Sequence, residues 1–186
     1  MNSPVTRFSN RPSAFSLVEL LVVIAIIGIL GAITLSIFSG GSQNAINLTG
    51  AGNTVSGVAA LARQAATTQR TRTVLVVAEV NDNGTPRSAV SIWDAQTTNQ
   101  IEKWILLPVA VRATNTSADS DATTNFACSY RGQNLIGVGY PFTPGGQMGD
   151  ANRVPRLRLQ PRQGDASNFF ELVFSPVTGT AKTVRP

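Results

Sequence analysis

The chain has 186 residues, 13% of them charged, with a formal net charge of +5, one cysteine and no histidine. That length leaves room for one domain beyond a terminal segment. The missing histidine excludes His-dependent acid–base and metal chemistry, and a lone Cys128 excludes an internal disulfide, so it reads as a buried small hydrophobe. In chain order, a short stretch carrying Arg7 and Arg11 and no acid comes first. Glu19 then stands at the front edge of Leu20 to Phe38, 19 residues without a charge. As a helix this run spans roughly 28 Å at about 1.5 Å per residue, close to the ~30 Å hydrocarbon core of a bilayer. The two arginines orient its start towards the cytoplasm and place the remainder across the membrane.

Ser39-Gly40-Gly41-Ser42 then loosens the helix, since Gly in a helix interior costs about 1 kcal/mol. Beyond it Leu48, Ala51, Val55, Val58, Ala62 and Ala65 recur at spacings of three and four, predicting an amphipathic helix over roughly 45–70. Its stripe is small-residued, suited to close packing on a sheet and weakened by Gly50, Gly52 and Gly57; Arg63 and Arg70 fall off it. From Thr73 the period becomes two. Thr73 to Val80, the turn cluster 81–84 and Arg87 to Trp93 predict a hairpin. Lys103 to Val111 is a third apolar strand, with Pro108 marking an edge or bend. Residues 113–150 read mostly as loop, with a short strand at Asn134 to Gly139. Arg153 to Gln160 alternates Arg and Leu from Arg156, Phe169 to Ser175 is the next strand, and Thr180 to Arg185 follows a turn at 176–179. A helix followed by antiparallel strands predicts an α+β fold, one helix lying on a sheet.

Three readings of the N-terminus compete. A secretory signal peptide has an apolar core of only about 7–15 residues, shorter than the run here. An uncleaved signal anchor fits length and orientation but leaves Glu19 unexplained. The third rests on Ala14-Phe15-Ser16-Leu17-Val18-Glu19 running into an apolar helix behind a basic leader, which closely resembles the processing site of type IV prepilins and pseudopilins. The resemblance implies cleavage by a prepilin peptidase between Ala14 and Phe15 and methylation of the new amine. Ala14 departs from the Gly usual in the family and is the next smallest residue. It also implies a leader over 1–14, a membrane and filament-core helix over 15–38, an amphipathic continuation over 39–72 and an antiparallel β-rich domain over 73–186, the pilin-like arrangement. Where major pilins often carry a Pro, this chain has Ser36, with Gly28 and Gly31 upstream, which soften the helix or pack against neighbours.

In the family, the carboxylate corresponding to Glu19 is thought to pair with the N-terminal amine of a neighbouring subunit. A buried carboxylate is costly alone and roughly breaks even when paired, which makes Glu19 a register device. The plainer alternative is a charge snorkelling to the membrane interface. Leu61-Ala62-Arg63-Gln64-Ala65-Ala66, Val74 to Val77, and Phe174-Ser175-Pro176 with Gly179 resemble H-type pseudopilins of type II secretion and the related T-type minor pilins. The implied role is a structural subunit of a pilus or pseudopilus, single-pass in the inner membrane with a periplasmic domain, or built into the filament. Its partners are the peptidase/methyltransferase and other pilin subunits.

The other functional class is a binding module. Arg153, Arg156, Arg158, Arg162, Lys182 and Arg185 cluster late in the chain, and some T-type minor pilins bind DNA through an arginine-bearing C-terminal region. The simpler reading is that the alternating arginines form the solvated face of a strand, with no aromatic among them to stack bases and with Phe169 and Phe170 as core residues. Asp119 and Asp121 are too few for the six to eight oxygens of a calcium site. No Ser/Lys, paired-carboxylate or Gly-rich phosphate pattern stands out, so neither an enzyme nor a cofactor or metal site is expected.

Overall fold

A computed structural model describes residues 17–37, 41–117, 123–149, 152–163 and 167–185. The fold is α+β, with two helices and antiparallel strands: α1 (Leu17–Ile37), α2 (Gly41–Gln69), β1 (Thr73–Asp82), β2 (Thr85–Asp94), β3 (Gln100–Leu106), β4 (Val111–Asn115), β5 (Thr124–Tyr130), β6 (Gln133–Phe142), β7 (Arg156–Pro161), β8 (Phe170–Phe174) and β9 (Ala181–Val184). The chain divides into two compact units, Met1–Ser42 and Gln43–Pro186.

In the second unit, the strands form a five-stranded sheet ordered β3-β2-β1-β6-β5 and a four-stranded sheet ordered β4-β7-β8-β9. Helix α2 supplies what joins them. Leu48, Ala51, Val55, Val58, Ala59, Ala62 and Ala66 are buried in one cluster with Leu75, Val77, Val90 and Ile92 of the larger sheet and Leu157, Leu159, Phe170, Leu172 and Phe174 of the smaller. The stripe read from the sequence is therefore the core seam as far as Ala62; at its end Ala66 is buried in place of Ala65, and Ala59 widens it. Alanine dominates because both sheets must approach one helix. The helix ends where Arg70 turns left-handed (φ 54°), a common helix stop, and the buried Thr73 hydroxyl donates to the Ala62 carbonyl at 2.8 Å, fixing the return into β1.

The expected loop at 113–150 is instead largely strand: β5 and β6 pair without interruption from Thr124↔Gly139 to Tyr130↔Gln133. Their turn is Arg131-Gly132, both at positive φ (47° and 80°), the same geometry as Asn83-Gly84 between β1 and β2 (52° and 85°). Such two-residue turns favour Asn-Gly, and an arginine in the first position hides the signal. Arg131 is held there by Asp82, 3.0 Å away, and by Asn83 at 3.3 Å, so the tip of one hairpin is tied to the other. The expected third strand is also revised. It runs over Gln100–Leu106, Pro108 lies in the turn that follows, and Val111 opens β4.

The larger sheet buries its second face as well. Trp93, Phe126, Cys128, Val74 and Val76 form a cluster there, with Trp104 packed against it. Trp93 and Phe126 approach to 6.0 Å between ring centroids although β1 and β6 separate their strands. A side chain at Gly139 would strike Val74, Thr124 and Phe126, so its absence lets the aromatics close over the middle of the sheet.

Three glycines of α2 divide by environment. A Cβ at Gly52 would overlap the Phe170 ring, whereas Gly50 and Gly57 face open space. Gly57→Ala should stabilise the folded unit by about 0.5–1 kcal/mol. Gly52→Ala should destabilise it by about 1–3 kcal/mol, because the ring must leave its site. Urea denaturation of the two variants checks this: equal effects at both positions would remove Phe170 as the reason for Gly52.

Candidate functional site

The expected cleavage and methylation positions, Ala14 and Phe15, lie outside the described residues. Glu19 lies in the first described turn of α1. Behind it the helix is apolar on every side, and its large side chains from Leu17 to Leu30 are all at least 46% exposed. Such a helix has no face suited to water. Counting only residues whose side chains are described, no helix is long and apolar enough to cross a membrane. The helix itself runs 21 residues to Ile37 with Glu19 as its single charge, about 30 Å at the usual rise.

The six late cations do not form one patch. Leu157 and Leu159 are buried, which turns Arg156 and Arg158 outwards from β7. Both then meet Glu171 on β8, at 3.5 and 3.2 Å. Glu171 is only 5% exposed and accepts a further bond from the Thr116 hydroxyl at 2.8 Å. Strand register continues this face to β9: Arg156 opposes Val173, and Val173 opposes Lys182. Arg162 instead pairs with Glu79 at 2.7 Å, and Arg185 donates to the Thr49 hydroxyl and lies over the Phe170 ring. Arg153 precedes β7 and is partly buried.

The structure thus gathers Arg156, Arg158 and Lys182 on one sheet face and sends Arg162 and Arg185 elsewhere. It also revises the reading of the aromatics. Phe170 is core, but Phe169 is partly exposed and carries the Arg158 guanidinium 4.0 Å above its ring, so an aromatic does lie among the arginines. Glu171 is the residue that the sequence reading missed. Its signal was a lone acid within an apolar strand, Phe170–Phe174, facing a strand of alternating arginines.

Cys128 is a free, buried thiol, and burial pushes its pKa up, keeping it protonated and unreactive. Asp119 and Asp121 lie outside the described residues. Among the described residues no three His, Cys, Asp or Glu side chains are assembled as a metal site.

The comparisons bear on the other end of the molecule. The family described as the prokaryotic N-terminal methylation motif matches residues 9–35, which take in Arg11, Ala14, Phe15, Glu19 and most of α1. No curated protein and no solved structure matches the chain. The matched residues are the prepilin-type motif, which implies a membrane-anchored precursor handled by a prepilin peptidase.

Proposed function

We propose that this chain is a minor pilin or pseudopilin, a structural subunit of a type IV pilus or of a type II secretion pseudopilus. The observation that carries the reading is the single carboxylate, Glu19, set in the first turn of an otherwise uncharged 21-residue helix within the methylation motif. Residues 1–14 act as the leader, 15–38 as the membrane and filament-core helix, 39–72 as its continuation and 73–186 as the displayed domain. Before assembly the chain is held in the inner membrane by one span, with its domain in the periplasm. After cleavage, the Phe15 amine stands four residues before Glu19, and each meets the opposite group of a neighbouring subunit. A charge pair in an apolar surround tolerates one axial stagger. The helix then supplies adhesion, and Glu19 selects the register.

Two outcomes follow. Mass spectrometry of the membrane-extracted protein should find a mature chain starting at a methylated Phe15. A chain starting at Met1, or beyond Gly31, would sink the processing step. Glu19→Ala should insert normally, since it removes a charge from an apolar segment. Its recovery in sheared filaments should fall at least about tenfold, the effect of ~1.4 kcal/mol per contact. Assembly at wild-type levels would make Glu19 an interface charge.

A second reading, DNA binding by the outer face of the smaller sheet, is favoured by the row Arg156, Val173, Lys182. Glu171 offsets part of this charge, and removing both arginines would strand a buried carboxylate at a cost of about 3–5 kcal/mol. Lys182→Gln is the clean probe, because Lys182 is exposed on an edge strand. Contacts would be to phosphate, so this variant should lower the salt slope of DNA affinity by about one without sequence preference. Gel-shift titrations at two salt concentrations measure it. An unchanged slope leaves the structural role alone standing.

A further inference from the structure

The larger sheet is curled so far that a side chain of one edge strand reaches the other. β3 and β5 lie at opposite ends of the strand order, yet the Trp104 indole N–H of β3 donates to the Ser129 carbonyl of β5 at 2.8 Å. Trp104 also packs against Trp93 and Tyr130, at 6.2 and 6.3 Å between ring centroids. One indole and one hydrogen bond therefore bridge the seam, a reach of at most about two strand spacings of about 4.8 Å. The seam is thus at most about one missing strand wide. Against β5 lies a groove of about 590 Å³ lined by Trp93, Thr98, Cys128, Ser129, Asn134 and Leu135, with no charged residue.

β5 has unpaired backbone groups facing this gap. The tight Arg131-Gly132 turn makes Tyr130 and Gln133 the closing hydrogen-bonded pair, so Phe126, Cys128 and Tyr130 bond towards β6. Asn125, Ala127 and Ser129 consequently aim their N–H and C=O groups at the seam. Among the described residues these groups meet one partner, the Trp104 indole.

Sheet edges are ordinarily protected by shortness, charge, bulges or cover. Three of the four edges here are. β3 carries Glu102 and Lys103 and breaks register twice against β2. β4 is five residues long, carries Arg112 and has its Ala113 N–H taken by the Ser88 hydroxyl. β9 is four residues long with Lys182 at its second position. β5 runs seven residues in unbroken register, without a charge or a proline.

We propose that the seam edge of β5 is a strand-addition site for an extended, uncharged segment of a partner polypeptide. The segment would lie between β5 and β3, bonding to Asn125, Ala127 and Ser129 and displacing the Trp104 indole from the Ser129 carbonyl. Its inward side chains would enter the uncharged groove, where an unpaired charge would be costly. A second copy of this chain fits poorly, because pairing through β5 would bring a whole sheet to a gap one strand wide. Trp104 is the latch: it satisfies one edge carbonyl until a backbone N–H replaces it.

The test uses the full chain in detergent micelles and the capped peptide acetyl-Thr-Val-Thr-Val-Thr-Val-Thr-amide. Binding should shift tryptophan fluorescence saturably and slow amide exchange at Ala127 and Ser129 about fivefold at an excess of peptide. The same peptide with alternate nitrogens methylated keeps its side chains, loses its ladder and should do neither. Ala127→Pro removes a seam-side N–H without touching the ladder to β6 and should abolish binding. Trp104→Phe keeps an aromatic ring but frees the Ser129 carbonyl, and should tighten binding severalfold; it serves as the readout if the proline variant fails to fold. No protection at millimolar peptide, an equal response to the methylated peptide, or self-association through β5 would each overturn the proposal.

Discussion

One helix has to satisfy two sheets, and the architecture of the folded unit follows from that. The buried face of α2 is a run of Ala and Val, with Leu48 near its start. Large side chains there would hold the sheets apart; small ones let Leu75 and Ile92 reach it from one side and Phe170 and Leu172 from the other. Gly52 is the limiting case, with the Phe170 ring set against bare helix backbone. The sheets are also joined directly, by the Ser88 hydroxyl accepting the Ala113 N–H and by Tyr140, whose hydroxyl donates to the Arg156 carbonyl at 3.1 Å.

What could be read from the residues follows how local each signal is. The stripe of α2 and the β1–β2 hairpin were legible because periodicity and an Asn-Gly turn are properties of neighbours in sequence. The β5–β6 hairpin was not, because Arg131 occupies a turn position that ordinarily selects Asn, and because Thr, Asn, Ser and Gly dilute the apolar alternation. What stabilises Arg131 there is Asp82, distant in sequence and visible only once two hairpins lie side by side. Glu171 was hidden for the same reason: pairing with Arg156 and Arg158 depends on how β7 and β8 align.

The methylation motif was legible because it is written in consecutive residues, 9–35. The basic face was legible in composition but not in arrangement. Six cations near the C-terminus became three on one face, one on Glu79, one on the helix and one, Arg153, ahead of β7, because alternation fixes which side a residue takes but not which strand lies next to it. A count of arginines is therefore a poor measure of surface potential wherever a buried acid stands among them.

The strand order also constrains how the domain folds. β1–β2 and β5–β6 are closed by two-residue turns and need only neighbouring residues to form, on the microsecond scale typical of hairpins. The β1–β6 ladder, from Thr73 with Phe142 to Val77 with Val138, joins those hairpins across an intervening stretch that contains β3 and β4. Non-local pairing of this kind slows folding, because loop-closure entropy is lost before contacts compensate it. Docking of the two hairpins is thus the step that loses non-local loop-closure entropy, and before it β1 and β6 each lack a partner along a valine-rich or glycine-rich edge. A mutation at that junction, Val76 facing Gly139, alters the folding rate, whereas one at the hairpin tips chiefly alters how readily the finished sheet frays.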